Sequence, residues 1–185
     1  MSSSLSICLY CGSSNEVDPS YLDLAKRLGE TLANAGIRLV YGGGSVGLMG
    51  AAATAAHEAG GSVLGIMPRF LLSQERIFDA VEHRIVETMH ERKQMMFDES
   101  DAFIVLPGGI GTLEEAVEML SWARLDLHSK PMAFLDEDEF WKPFFELMGH
   151  IVDGKFTPMA FLDLFAHVST PEDAIEALQV RLDND

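Results

Sequence analysis

Apolar runs of strand length alternate with amphipathic stretches of helix length along the whole chain, the pattern of a parallel sheet covered by helices on both faces. It predicts strands near residues 5–10, 37–41, 62–66, 82–86, 102–106, 131–135 and 165–168, and helices near 19–35, 47–59, 88–99, 112–127, 139–153 and 171–182. Thr170 and Pro171 suit the N-cap and first position of the last helix. With no internal repeat and no low-complexity linker, the expectation is one domain over residues 1–185: α/β, a doubly wound, mostly parallel sheet with helices on both faces.

Composition narrows the function. The chain has 185 residues, 48% hydrophobic and 23% charged, enough apolar surface for a core of its own. Thirteen lysines and arginines against 29 acids leave a charge of -16, which repels nucleic-acid backbones but still allows a locally positive pocket for a small anion. No stretch reaches the ~18 apolar residues of a membrane span, and no basic region precedes the run Leu5 to Tyr10, which reads as a first strand and not a signal peptide. A cytoplasmic protein is expected. Cys8 and Cys11 are three apart and fall on opposite faces of a strand, as buried free thiols. The acidic run Asp136 to Glu139 reads as a solvated turn and helix start at the surface.

In doubly wound sheets, ligands bind beyond the carboxyl ends of the strands. Three strand-to-helix turns stand out there. Cys11-Gly12-Ser13-Ser14-Asn15 offers small hydroxyls and backbone donors. Gly42-Gly43-Gly44-Ser45-Val46-Gly47 satisfies G-x-G-x-x-G before a helix, and Pro107-Gly108-Gly109-Ile110-Gly111-Thr112 is a second glycine loop. Such loops let a ligand approach the backbone, and free amides at a helix start attract anions, so Gly43, Gly44, Gly47, Gly108, Gly109, Gly111 and Thr112 are candidate phosphate contacts, in what reads as a single nucleotide-binding, Rossmann-like domain. The acid that would hold an adenosine ribose is missing at the end of the next strand, Leu64-Gly65-Ile66-Met67, and neither glycine loop carries the lysine of a Walker A motif. Hydride transfer and ATP hydrolysis lose ground accordingly. On a helical wheel Arg92 and Lys93 fall within or beside the apolar arc of Met89, Met96 and Phe97, which suits either snorkelling side chains or a cation pair at a pocket edge. Glu115 lies closer to the apolar face of its helix than Glu114 or Glu118. The six histidines (57, 83, 90, 128, 150 and 167) are dispersed, so neither metal nor organic cofactor is expected.

Taken together, Tyr41-Gly42-Gly43-Gly44 with Gly47-Leu48-Met49-Gly50, Met89-His90-Glu91-Arg92-Lys93, and Pro107-Gly108-Gly109-Ile110-Gly111-Thr112-Leu113-Glu114-Glu115 resemble the LOG (Lonely Guy) family over roughly residues 5 to 182. These are cytokinin riboside 5'-monophosphate phosphoribohydrolases, often labelled lysine decarboxylases. The resemblance implies hydrolysis of the N-glycosidic bond of an adenine-type, possibly N6-prenylated, nucleoside 5'-monophosphate. It implies catalytic roles for Arg92 and Glu115, a phosphate loop at Gly108 to Thr112, and ribose and base contacts at Met89 and Lys93. Glu75 and Ser121 fall near family substrate contacts, and the family is commonly a homodimer with pockets near the subunit interface. A decarboxylase using pyridoxal phosphate would need a Schiff-base lysine beside a phosphate site, and only Lys93 lies near the proposed pocket. The competing reading is a non-catalytic nucleotide- or molybdenum-cofactor-binding module, which would keep both glycine loops without needing Glu115; an NAD-dependent dehydrogenase ranks last.

Overall fold

The computed structural model describes residues 5–73 and 76–183. Its elements are β1 (Ser6–Tyr10), α1 (Pro19–Asn34), β2 (Arg38–Tyr41), α2 (Gly47–Glu58), β3 (Val63–Pro68), β4 (Glu82–Val86), α3 (Met89–Asp98), β5 (Ala102–Val105), α4 (Ile110–Arg124), β6 (Met132–Leu135), α5 (Lys142–Asp153), β7 (Phe165–Val168) and α6 (Pro171–Leu182). The strands form one sheet in the order β4-β3-β2-β1-β5-β6-β7, with every pairing parallel.

Both faces of the central strands are covered, which explains their uninterrupted apolar sequences. From β1 onward, Ile7, Leu9 and Cys11 face a core built with Leu24 and Leu28 of α1, Ala52 and Ala56 of α2, and Leu178 of α6. Cys8 and Tyr10 face the opposite core, with Met96 of α3, Met119 and Leu120 of α4, and Phe144 of α5. The two thiols are thus free, buried and on opposite faces, as their spacing predicts. Close packing of α1 on α2 requires Gly29, where a Cβ would stand 2.2 Å from the Ala52 carbonyl oxygen. Among the described residues no helix is long and apolar enough to cross a membrane.

Several details depart from the pattern. Short 3-10 turns at Arg69–Ser73 and Met159–Leu164 have no strong periodicity to reveal them. Helix α4 starts at Ile110, two residues earlier than predicted, so that Ile110 to Thr112 form its first turn behind the N-cap Gly109. Helix α5 starts at Lys142, three residues late, because Asp136 organises the preceding turn. Its carboxylate accepts hydrogen bonds from the Glu139 and Trp141 amides at 3.1 and 2.8 Å. The expectation that the whole acidic run is surface is therefore corrected: Asp136 is buried and also 3.3 Å from His167 Nε2.

Candidate active site

The chain winds outward from β1 through β2 and β3 to β4, then crosses to β5, so the loops after β1 and β5 diverge and leave a crevice at their carboxyl ends. A cavity of about 340 Å3 occupies it. Its walls come from Cys11, Gly12 and Ser13 after β1 and from Gly109 to Thr112, Glu114 and Glu115 of the loop and helix after β5. Met49 of α2 and Met89 and Arg92 of α3 complete it. An apolar recess of about 350 Å3, lined in part by Val17, Tyr21, Leu48 and Phe140, lies alongside and shares Gly12, Ser13 and Gly109 with it.

The anion-binding end is the start of α4. Gly109 and Gly111 have no heavy atom within 4 Å of where a Cβ would be, leaving the backbone open to a ligand. No described acceptor takes the amides of Ile110, Gly111 and Thr112, whereas the Leu113 amide already bonds the Gly109 carbonyl. Gly108 is needed for another reason: a Cβ there would lie 2.2 Å from Thr112 Oγ1, so the small residue lets the threonine side chain fold back over the loop.

Arg92 is held from behind. Helix α3 begins with a capping box, in which the Thr88 side chain accepts the Glu91 amide and the Glu91 side chain returns to the Thr88 amide. One residue further on, Arg92 Nε donates to the Ile66 carbonyl at 3.1 Å and Nη2 to the Gly42 carbonyl at 2.8 Å. These bonds anchor the buried guanidinium to the middle of β3 and to the residue after β2, and leave Nη1 facing Glu115 Oε1 at 3.9 Å. No described residue donates a hydrogen bond to the Glu115 carboxylate. Burial pushes that carboxyl up to about 7; the charges of Glu114 and Glu118 push the same way, against Arg92 and Lys93. A nearly buried acid poised to exchange a proton near neutrality, beside a fixed cation and an open helix N-terminus, is equipped for acid–base and electrostatic catalysis.

Of the residues singled out in the sequence, the cavity brings together Met89, Arg92, Gly109, Gly111, Thr112 and Glu115, with Gly108 directly beneath. It does not bring Gly43, Gly44 or Gly47. The Ser45 amide donates to the Arg76 carbonyl, the Gly47 amide to Asn15 Oδ1 at 2.8 Å and the Leu48 amide to the Gly12 carbonyl at 3.0 Å, so these three donors serve the protein itself. Gly47, at φ 61°, wedges against the first loop, where a Cβ would stand 2.4 Å from the Ser13 carbonyl carbon. The loop after β2 thus positions the loop after β1. Lys93 is not part of the wall; its ammonium is bound to Glu114, which is, and to Glu118. Ser121 is exposed on α4, away from the cavity lining, and Glu75 lies outside the described residues. Met49, Ile110 and Glu114 also line the wall without having been assigned a contact from the sequence, and Cys11, Gly12 and Ser13 belong to the first loop, which the sequence places at this edge without a contact for any one of them.

Comparison with known proteins identifies the family. A family model described as "Possible lysine decarboxylase" matches residues 49–178. The cytokinin riboside 5'-monophosphate phosphoribohydrolase LOG of Oryza sativa subsp. japonica is 47% identical over 151 residues, covering 81% of this chain, which spans only 62% of that relative's length. LOG3 of Arabidopsis thaliana, of the same description, is 40% identical over 174 residues, 94% of this chain and 81% of its own. Among solved structures, the molybdenum cofactor binding protein of Rippkaea orientalis superposes with a TM-score of 0.74 at 24% identity, over 98% of this chain and 99% of its own, a likeness of fold. With matches of this extent and identity, the chain belongs to the LOG family.

Proposed function

We propose that this protein hydrolyses the N-glycosidic bond of an adenine-type nucleoside 5'-monophosphate, plain or N6-prenylated, to free base and ribose 5-phosphate. The observation that carries the reading is the free Glu115 carboxylate, 3.9 Å from an anchored Arg92 and one helical turn from the open amides of Ile110 to Thr112. One turn is about 5.4 Å, the scale of ribose 5-phosphate from its phosphorus to its anomeric carbon. The phosphate sits at the start of α4, held by the amides and the Thr112 and Ser13 hydroxyls, and the anomeric carbon then reaches Glu115.

As the carbon–nitrogen bond lengthens, positive charge grows on the ribosyl group and negative charge on the base. The Glu115 carboxylate stabilises the first, and Arg92 the second. Water adds to the anomeric carbon, its proton passes to Glu115, and that proton is then available to the departing base nitrogen. Arg92 stays charged throughout, since a guanidinium is a poor proton donor. A decarboxylase has less support, because among the described residues no lysine lines the cavity and Lys93 is committed to two carboxylates.

The surroundings supply the rest of the proposal. Ile110 at the cavity rim is 83% exposed, and Val117 on α4 and Leu125 just past its end are exposed as well, which suits burial against a second copy in a homodimer. Free, buried Cys8 and Cys11 suit the reducing cytoplasm, and the net charge of -16 disfavours nucleic acid as a partner. Incubating the protein with AMP or isopentenyl-AMP, without additives, and chromatographing for free base is the test. A binding module of the same fold would retain the nucleotide and release no base.

A further inference from the structure

Three acids crowd one stretch of α4, Glu114, Glu115 and Glu118, yet only Glu115 presents a free carboxylate to the cavity. The other two are held by one cation. Lys93 Nζ lies 2.5 Å from Glu114 Oε1 and 3.0 Å from Glu118, and its side chain is only 14% exposed. Lys93 follows Arg92 on α3, so successive residues of one helix reach the same stretch of α4: Arg92 faces Glu115 across the cavity, and Lys93 binds the acids before and after it in the sequence.

We propose that Lys93 is a positioning residue: by binding Glu114 and Glu118 it ties α3 to α4, holds Arg92 opposite Glu115, and offsets the two negative charges nearest that carboxylate. This rests on the phosphoribohydrolase reading for its catalytic consequence, but the electrostatic claim stands on the geometry alone. The groups that act on Glu115 are Arg92 and Lys93 from α3 and Glu114 and Glu118 from its own helix. The thiol of Cys8 and the phenol of Tyr10, from β1, and the thiol of Cys11 just after it are held neutral by burial. Removing Lys93 therefore takes away one opposing cation and uncovers two anions, and Glu115 must hold its proton to higher pH.

The experiment compares wild type with Lys93→Met and Lys93→Arg by two readouts. Carbon-13 NMR of the Glu115 carboxyl follows its titration whether or not the protein turns over substrate. The titration should move upward from about 7 in Lys93→Met, by roughly half a unit to one unit, and stay near the wild-type position in Lys93→Arg. The pH profile of kcat/KM for AMP should shift by the same amount, a loss of about two- to fivefold at neutral pH that vanishes well above it. A Glu115 titration unmoved in Lys93→Met overturns the proposal. So does a kcat/KM deficit of equal size at every pH, which would mean that Lys93 touches substrate instead. Should Lys93→Met not fold, Lys93→Gln answers the same question by the same titration. If wild type releases no base from AMP, the hydrolase reading fails by itself, and the NMR titration still decides the role of Lys93.

Discussion

Replacing Glu115 by Gln should make the protein more stable and nearly inactive. The carboxyl titrates at about 7 in the fold against an ordinary value of 4.5. Between those two pH values the native state keeps a proton that the unfolded chain has lost, so stability falls as pH rises through the window, and the whole cost is present above about pH 7. At 1.36 kcal/mol per pH unit, the gap corresponds to about 3 kcal/mol. Glutamine has the shape of the protonated acid and no charge, so the variant escapes this slope. Urea denaturation should find Glu115→Gln more stable than wild type by roughly 2–3 kcal/mol near pH 8, and equal to it within about 0.5 kcal/mol near pH 4. The melting temperature near pH 8 should rise by some 5–10 °C for a domain of this size. Turnover of AMP should meanwhile fall by about two to three decades, the usual cost of losing one preorganised electrostatic partner. A variant with the same stability difference from wild type at both pH values would refute the account of a carboxylate strained by burial. A stable variant with full activity would remove Glu115 from catalysis.

Gly42→Ala should act like a loss of Arg92, because the new Cβ would stand 2.0 Å from Arg92 Nη2 and displace the guanidinium; kcat/KM for AMP should fall about a hundredfold or more, and wild-type activity would show that the anchoring is unimportant. The 5'-monophosphate should be preferred over the nucleoside by at least about a hundredfold in kcat/KM, since two or three charge-assisted bonds at the start of α4 contribute about 1.5–3 kcal/mol each. Equal values for AMP and adenosine would reduce the glycine loop to a packing turn. Turnover should survive exhaustive chelation, because among the described residues no three His, Cys, Asp or Glu side chains are grouped to hold a metal. Loss of activity in EDTA with recovery on adding zinc or magnesium would contradict that.

The alternation of strands and helices was legible because each element's own residues encode it. A strand covered on both faces has to be apolar throughout, and Ala102–Val105 and Met132–Leu135 are. The start of α6 was equally local, since the Thr170 side chain caps the Asp173 amide within one turn and Pro171 needs no amide of its own. Of the site, the loop at Gly108 to Thr112 and the pair Arg92 and Glu115 could be read in advance, chiefly because their joint pattern resembled a family.

What the tertiary structure decided was which groups remain free. The two glycine loops look alike as sequence, but Asn15 and the Gly12 carbonyl, more than 30 residues away, take the Gly47 and Leu48 amides of one, while nothing described takes the Ile110 to Thr112 amides of the other. Arg92 and Lys93 are neighbours on a wheel, about 100° apart, and only the placement of α4 sends the first into the cavity and the second to Glu114 and Glu118. Asp136 belongs to a surface-like acidic run, and its burial follows from the turn it caps and from His167 on the next strand. Hydrophobic periodicity depends on residues a few positions apart, and so the chain carries it openly. The availability of an amide or the proton affinity of a carboxylate depends on every group packed around it, and those neighbours are brought together only by the crossover from β4 to β5.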